Sequence, residues 1–347
     1  MNFKKIASIF SVVLIAGLIV YGYILYREIF GVNTKFTENQ VYVFIPTNAN
    51  YEDVKKIITP YVEDISRFEM VAKKKSYPDK QEKAGRFLLK KGMNSNEIVN
   101  ALRQNIPVNI AYNNQERLEN FAGRIGSQIE ADSLSLLTAF KDKKFLEENG
   151  FTEENVLSMF IPNSYEFFWN TSAIKFRDRM AKEYRKFWTE ARIAKAKQLN
   201  LTPIQVTVLA SIVHKETVKK DERPKVAGVY LNRLAKGMKL EADPTVIYAV
   251  KLKSGDFNQV IKRVLYRDLE TDSPYNTYKY TGLPPGPIAM PDITALDAVL
   301  NPEKHNYIYF CASVTNFGYH EYAATPAEHE INHLKYVAWI SKQGIKR

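Results

Sequence analysis

The chain has 347 residues, of which 45% are hydrophobic and 25% are charged, a balance typical of a folded protein with one large core or two modest cores. Its single cysteine, Cys311, excludes an intramolecular disulfide, a CxxC redox pair and a zinc ribbon. The net charge of +11 would suit nucleic acid, an anionic membrane or an anionic polymer. The basic residues are dispersed, however, and no zinc-finger, RRM or KH motif accompanies them, so we expect no nucleic-acid partner.

An uncharged apolar segment at residues 6–26 is the first predicted element. At about 1.5 Å per residue, a helix of this length crosses a hydrocarbon core of roughly 30 Å. A cleaved signal peptide is the alternative, but its apolar region usually has about 7 to 15 residues and ends in small residues. Because Lys4 and Lys5 precede the segment, the positive-inside rule predicts a cytoplasmic tail (1–5), a single transmembrane helix in the cytoplasmic (inner) membrane, and the remaining chain outside.

A small α+β module is predicted at residues 41–106, after a linker at 27–40. Residues 41–45 read as a strand, and an amphipathic helix opens at Asn50. The pattern then repeats with a strand at 85–89 and a helix that is capped by Asn94 or Ser95. The module has no obvious acid, base or metal cluster, so we interpret it as a scaffold or binding platform.

The chemically richest stretch is a helix predicted to begin at Pro203, after the N-cap Thr202. It is apolar nearly all round, which is typical of a buried helix, and it ends near Glu216. Burial and the negative end of the helix dipole would both raise the pKa of Glu216. A carboxyl that holds its proton at neutral pH can protonate a leaving glycosidic oxygen. The alternative, a surface glutamate paired with a neighbouring lysine, stays open from these residues alone.

Further polar groups follow in the sequence. Asp243 is a candidate second carboxylate, although an Asp-Pro turn or helix cap explains it as well. Loops at 273–278 and 282–288 are dense in Tyr, Asn, Pro and Gly, and they would suit the rim of a sugar-binding site.

These blocks together resemble the YceG-like endolytic murein transglycosylases. The matching motifs, in chain order, are L-A-S-I-V-x-K-E-T at 209–217, V-A-x-V-x-x-N-R-L at 226–234, D-P-T-V-I-Y at 243–248, S-P-Y-N-T-Y at 273–278 and G-L-P-P-G at 282–286. The resemblance implies an α+β fold with an N-terminal transmembrane helix, a small LysM-like module at 41–106 and a larger mixed α/β catalytic domain at 107–347.

The activity implied by the resemblance is that of a lytic transglycosylase, a carbon–oxygen lyase that cleaves the MurNAc–GlcNAc bond within peptidoglycan strands and leaves 1,6-anhydro-MurNAc ends. Glu216 would be the general acid and then the base, without a cofactor or metal. The implied partners are peptidoglycan strands, the cytoplasmic membrane and cell-wall synthesis proteins. The predicted substrate-binding residues are Asn232, Asp243, Thr245, Tyr248, Tyr275, Asn276 and Tyr278.

One position departs from the family pattern, because many relatives carry a glutamate where this chain has His214. Residues two apart on a helix point to different faces. We therefore expect that His214 is not the catalytic partner of Glu216, although the departure leaves the tuning of Glu216 open.

Two other function classes remain as alternatives. A non-catalytic peptidoglycan-binding membrane anchor would use the same LysM-like module. A zinc metalloprotease is suggested by H-E-x-x-H at 329–333, in which His329 and His333 would bind zinc and Glu330 would activate water. No His, Asp, Glu or Cys follows in residues 334–347 to supply a third ligand, so we expect a structural or site-lining role for His320 and His329 instead.

Overall fold

The computed structural model describes residues 3–77 and 84–342. It divides into two compact units. Unit 1 comprises residues 1–110, 128–131 and 165–172, and unit 2 comprises residues 111–127, 132–164 and 173–347.

Unit 1 begins with the long apolar helix α1 (Phe3–Phe30). Its stretch from Ser8 to Phe30 has a mean hydropathy of 2.3, and none of it is buried within the protein. This is the one helix in the described residues that is long and apolar enough to cross a membrane, and a signal sequence near the N-terminus would share these properties. The helix is thus compatible with the predicted anchor, while the first two residues of the predicted tail lie outside the described residues.

The rest of unit 1 is built around one antiparallel strand pair. Strand β1 (Gln40–Ile45) pairs with β2 (Gly85–Lys90), with Val43 opposite Phe87. Alternate side chains on both strands are buried, as expected from the period-2 pattern. These side chains pack with the apolar faces of three helices into one core. The helices are α2 (Tyr51–Ile58), α3 (Ile65–Lys74) and α4 (Ser95–Ala101).

Two of these helices begin with a complete capping box, which explains where they start. Asn50 caps α2 and Asn94 caps α4, and each accepts a hydrogen bond from the backbone N–H three residues later. Of the two caps considered for α4, the structure therefore uses Asn94.

Part of the segment predicted as a linker is packed against this module. The Asn33 side chain is fully buried and donates to the Asp64 carbonyl and to the Ser95 hydroxyl, at 2.8 and 2.9 Å. Near the end of α1, the Arg67 guanidinium donates to the Glu28 carboxylate at 2.8 Å. These contacts join α1 to the module without a loose connection.

Unit 2 is mainly helical. Two strands, β3 (Val108–Ala111) and β4 (Ser164–Phe167), fall at the sequence boundaries between the units. Another antiparallel pair, β5 (Tyr309–Ala312) and β6 (His320–Ala323), lies in unit 2. The helices are α5 (Leu118–Gly126), α6 (Ser133–Phe140), α7 (Lys143–Asn149), α8 (Ala173–Phe187), α9 (Glu190–Gln198), α10 (Pro203–Glu216), α11 (Arg223–Ala235), α12 (Asp243–Ser254), α13 (Tyr266–Leu269), α14 (Ile293–Leu300) and α15 (Pro326–Lys342).

Helix α10 lies in the centre of the unit 2 core and positions the site. All residues from Val206 to Val213 are buried, and α11, α12 and α14 pack around the helix. Thr202 and Gln205 form its capping box, and Pro203 occupies the first turn, so the predicted start is confirmed. The mixed α+β composition is also confirmed, whereas the LysM-like and catalytic identities of the modules stay predictions.

Candidate active site

Glu216 is the last residue of α10 and faces a cavity of about 280 Å³. Residues 206–213 of α10 are buried in the core, and the helix then ends at Glu216, which lines the cavity. The cavity lining combines acidic, basic and aromatic side chains from six elements and their connections: Glu216, Arg233, Leu240, Glu241, Asp243, Tyr278, Phe310, Cys311, Ala312, His320 and His329.

The surroundings of Glu216 favour its protonated form. Burial raises the pKa of Glu216 to about 7, and the negative charge of Asp243 acts in the same direction. The His320 imidazole, when it is protonated, and a hydrogen bond from the Tyr230 hydroxyl, 3.1 Å from Oε2, oppose the increase. The neighbouring Lys215 pairs with Glu116 instead, with 2.9 Å between Nζ and Oε1. Glu216 is therefore suited to donate a proton near neutral pH.

Asp243 and Tyr278 are the two predicted substrate-binding residues that lie in the Glu216 cavity. Asp243 is the first residue of α12, where a carboxylate also complements the helix dipole. The Tyr278 hydroxyl donates to Asp243 Oδ1 at 2.7 Å. Burial and this carboxylate raise the pKa of Tyr278, so its hydroxyl stays protonated and available as a hydrogen-bond donor.

Another glutamate, the buried Glu222, holds His320 at the edge of the same cavity. Glu222 Oε1 accepts the backbone N–H of His320 at 2.7 Å, and His320 Nδ1 lies 3.1 Å from Oε2. Burial alone would raise the pKa of Glu222, but hydrogen bonds from His320 and Thr217 outweigh it and lower the pKa to about 2. At pH values between these two pKa values, about 2 for Glu222 and about 7 for Glu216, Glu222 is therefore ionised while Glu216 is protonated.

Three other predicted substrate-binding residues hold backbone or buried side chains and do not line the Glu216 cavity. The Asn232 amide donates to the carbonyls of His305 and Tyr307, both within 2.9 Å. Thr245 and Asn276 are fully buried. The Thr245 hydroxyl bonds to the Ala242 carbonyl and the Thr277 hydroxyl, and the Asn276 amide donates to the carbonyls of Leu269 and Thr271.

Tyr248 and Tyr275 line a different cavity of about 440 Å³, together with Arg117, Phe257 and several carboxylates. Their ring centroids are 4.7 Å apart. Part of the second predicted rim loop, residues 282–285, lines a third cavity of about 910 Å³ beside α9, α10 and α11. The structure thus distributes the two predicted rim loops over three cavities.

His214 points into a separate ionic cluster. Its Nδ1 is 3.3 Å from Asp292 Oδ2, and the buried Arg223 donates to the same carboxylate at 2.7 Å. Burial would raise the pKa of Asp292, but the hydrogen bonds from His214 and Arg223 lower it well below its usual range. His214 is also absent from the lining of the Glu216 cavity.

The H-E-x-x-H residues lie on α15, where two ring centroids, those of His329 and His333, are 6.5 Å apart. The His329 ring stacks on Tyr309, and Glu330 Oε2 lies 3.8 Å from His333 Nδ1. Across residues 3–77 and 84–342, no group of three His, Cys, Asp or Glu side chains could hold a metal. The motif therefore supplies no third zinc ligand, and His329 lines the Glu216 cavity instead.

Several site residues were not singled out from the sequence. Tyr230 lies among apolar residues of α11, yet its hydroxyl bonds to Glu216. Glu222 and Phe310 carried no motif. The Phe310 ring packs edge-on against His320, with 4.9 Å between centroids. No spacing rule could find these residues, because they lie on a turn, a helix and a strand that only the tertiary fold brings together around Glu216 and His320.

Comparison with known proteins agrees with this architecture. The model of the YceG-like family matches residues 43–335. The endolytic murein transglycosylase of Bacillus subtilis (strain 168) is 28% identical over 344 residues, covering 94% of this chain and 91% of the relative. That of Streptococcus pneumoniae is 37% identical over 141 residues, which are 41% of this chain and 25% of the relative.

A solved structure shares the fold as well. The crystal structure of a YceG-like protein from Listeria monocytogenes, at 2.6 Å resolution, superposes with a TM-score of 0.56 and 27% identity. The match covers 84% of this chain and 98% of the Listeria chain. Because the family model and this likeness both extend over most of the sequence, the protein belongs to the YceG-like family.

Proposed function

We propose that this protein is an endolytic peptidoglycan lytic transglycosylase that cleaves the MurNAc–GlcNAc bond within glycan strands and produces 1,6-anhydro-MurNAc ends. The observation that carries the proposal is a single carboxyl, Glu216, with a pKa raised to about 7 and an opening into a polar cavity. The Bacillus and Streptococcus relatives, both named endolytic murein transglycosylases, support the same activity.

In the proposed reaction, Glu216 acts twice. It first donates its proton to the bridging oxygen as the bond from that oxygen to the anomeric carbon of MurNAc breaks. The resulting carboxylate then accepts the proton of the MurNAc C6 hydroxyl, while O6 bonds to the same anomeric carbon. Proton and electron pairs balance without water, so a second catalytic carboxylate is not required, in contrast to ordinary glycosidases.

The predicted substrate-binding residues take different roles in this proposal. Asp243 and Tyr278 would contact the sugar at Glu216, because they line its cavity. Tyr248 would stack on a sugar farther along the strand, since aromatic faces suit sugar rings, and the buried Tyr275 would support its ring. The buried Thr245 would support the start of α12, and Asn232 and Asn276 would likewise act indirectly through the backbone they hold.

The remaining parts of the chain would bring the enzyme to its substrate. Helix α1 would anchor it in the cytoplasmic membrane with the N-terminus inside, so that unit 2 meets peptidoglycan outside. The LysM-like module at 41–106 would bind glycan, and cell-wall synthesis proteins are candidate partners. A binding anchor without catalysis is the alternative, and the chemistry around Glu216 favours the enzyme.

The decisive experiment compares Glu216→Gln with the wild type, both as detergent-solubilised full-length chains acting on purified sacculi. Mass analysis of the released muropeptides should show anhydro-MurNAc products from the wild type and a loss of about a thousandfold or more in the variant, because the acid and the base are removed together. Glu330→Gln is the matched control, since this exposed glutamate belongs to the zinc motif and should not affect release.

Each alternative gives a different result. Reducing-end MurNAc products would indicate hydrolysis and contradict the transglycosylase mechanism. Binding of sacculi without any release by the wild type would favour the anchor. Loss of a peptidase activity in Glu330→Gln, together with inhibition by chelators, would favour the zinc protease.

A further inference from the structure

A buried carboxylate–imidazole pair lies next to the proposed catalytic acid. Glu222 is the residue before α11 and is 5% exposed, while His320 is the first residue of β6. Three contacts of 2.7 to 3.2 Å join them, from the backbone N–H and Nδ1 of His320 to the two carboxylate oxygens. The Phe310 ring packs edge-on against the imidazole. The ring is thus held from two sides.

The hydrogen bonds to Glu222 determine which ring nitrogen of His320 remains available to the cavity. Glu222 is ionised, since its pKa is lowered to about 2, so its oxygens accept and His320 Nδ1 must carry the hydrogen. Nε2 is then the ring nitrogen left to serve the cavity that His320 lines with Glu216. This arrangement places a potential cation, the His320 imidazole, in the same cavity as Glu216.

Such a cation answers a chemical problem of the proposed acid. Burial keeps the proton on Glu216, but a general acid must also release that proton in the transition state, which leaves a carboxylate in a poorly solvated site. Among the groups that act against burial at Glu216, the charge of His320 is the largest. The other titratable groups around Glu216 are Glu222, Tyr230, Arg233, Glu241, Asp243, Tyr278, Cys311, Tyr322 and His329.

We propose that His320, held in place by Glu222, is the positioning residue that stabilises the carboxylate form of Glu216 and so sets the pH range of the reaction. This inference rests on the proposed function. It assigns His320 no contact with the reacting atoms. Its role is to keep positive charge beside Glu216 between the two proton transfers.

Two substitutions of His320 separate this role from a structural one. Activity should fall as the pH rises through the pKa of Glu216, because the proton is then lost. His320→Gln removes the cation, so this alkaline limb of the kcat profile should move upward by about half a pH unit or more. His320→Arg restores a cation, so its limb should return toward that of the wild type. Muropeptide release is measured from about pH 5 to 9.

Tyr319→Phe is the matched control, because Tyr319 precedes His320 but its hydroxyl bonds to the exposed Asp221. Its limb should coincide with that of the wild type. A structural role for His320 would lower kcat in both His320 variants without moving either limb, and that result would overturn the proposal. Thermal unfolding of each variant verifies that a folded protein is compared.

A double-mutant cycle tests whether Glu222 acts through His320. Glu222→Gln and His320→Gln should each lower kcat about tenfold. The double variant should lose no more activity than the single variant with the larger loss. Multiplying losses would show that the residues act independently and would contradict the pair. If the wild type itself released no anhydro product, the proposed function would fail, whereas an unmoved limb with an active wild type rejects only this inference.

Discussion

The end of α10 and the turn before α11 offer a direct comparison, because each holds one glutamate and the two are six residues apart, at Glu216 and Glu222. The Glu222 side chain is buried and Glu216 is half-buried. Burial acts on both in the same direction and is the largest influence on each. Yet the pKa of Glu216 rises to about 7 and the pKa of Glu222 falls to about 2.

Hydrogen-bond donors explain the difference. Glu222 accepts from the backbone and ring of His320 and from Thr217, whereas Glu216 accepts from Tyr230 and lies near Asp243, another negative charge. A buried carboxyl is thus made structural by a full set of donors, and it is made reactive when few donors are supplied. The substitutions Glu222→Gln and Glu216→Gln test this difference through the free energy of unfolding.

Removing the charge of Glu222 should have the larger effect on folding. Because its pKa in the folded state is depressed below the ordinary 4.5, its ionised form stabilises the fold above that pH, and the benefit is lost as the pH falls toward 2. Glu222→Gln should therefore lower the free energy of unfolding by about 3 kcal/mol at pH 7. Urea unfolding of the detergent-solubilised chain measures this loss.

The difference between Glu222→Gln and wild type should shrink as unfolding is repeated at pH values from 5 toward 2. Glu330→Gln, at an exposed position, should stay within about 0.5 kcal/mol of the wild type. An unchanged free energy of unfolding in Glu222→Gln would mean that the hydrogen bonds of Glu222 only offset the unfavourable burial of its charge.

The same substitution at Glu216 should have the opposite sign. Its pKa in the folded state is raised from 4.5 to about 7, so the folded protein loses stability as the pH rises through this range and the carboxyl ionises. Glutamine stays neutral, and Glu216→Gln should therefore increase the free energy of unfolding by about 2 kcal/mol at pH 8. The variant would be more stable and inactive.

Urea unfolding at pH 4.5 and pH 8 tests the sign, since the gain should be present only at the higher pH. An equal effect at both values would show that the change comes from packing and that the charge of Glu216 costs nothing.

Local signals explain what the sequence could predict. Thr202, Gln205 and Pro203 define the start of α10 within a few residues, and the apolar run that follows indicates burial, so the position of Glu216 at the end of a buried helix could be inferred. The Asn94 cap of α4 is another such case. Helix caps and hydrophobic periodicity depend on residues close together in the sequence, and for this reason they can be predicted without a structure.

Tertiary contacts explain what it could not predict. Asn276 stands in a loop that looked like a sugar-binding rim, but its amide is fully buried and satisfies two backbone carbonyls. The sequence alone does not distinguish a side-chain amide that bonds to the backbone from one that binds a ligand. The contribution of Tyr230 and the Glu222–His320 pair likewise depends on which strand and helix meet at the cavity.

The smallest effect that we predict concerns Asp243, whose negative charge favours the protonated form of Glu216. Asp243→Asn removes this charge while its side-chain oxygen can still accept the hydrogen bond from Tyr278. The pKa of Glu216 should fall, and the alkaline limb of the activity profile should move to lower pH by about half a unit. This shift is opposite to the one expected for His320→Gln, although both variants lose one charged side chain from the same cavity. A limb that moved upward, or did not move, would show that solvent screens Asp243 from Glu216 and that the raised pKa is due to burial alone.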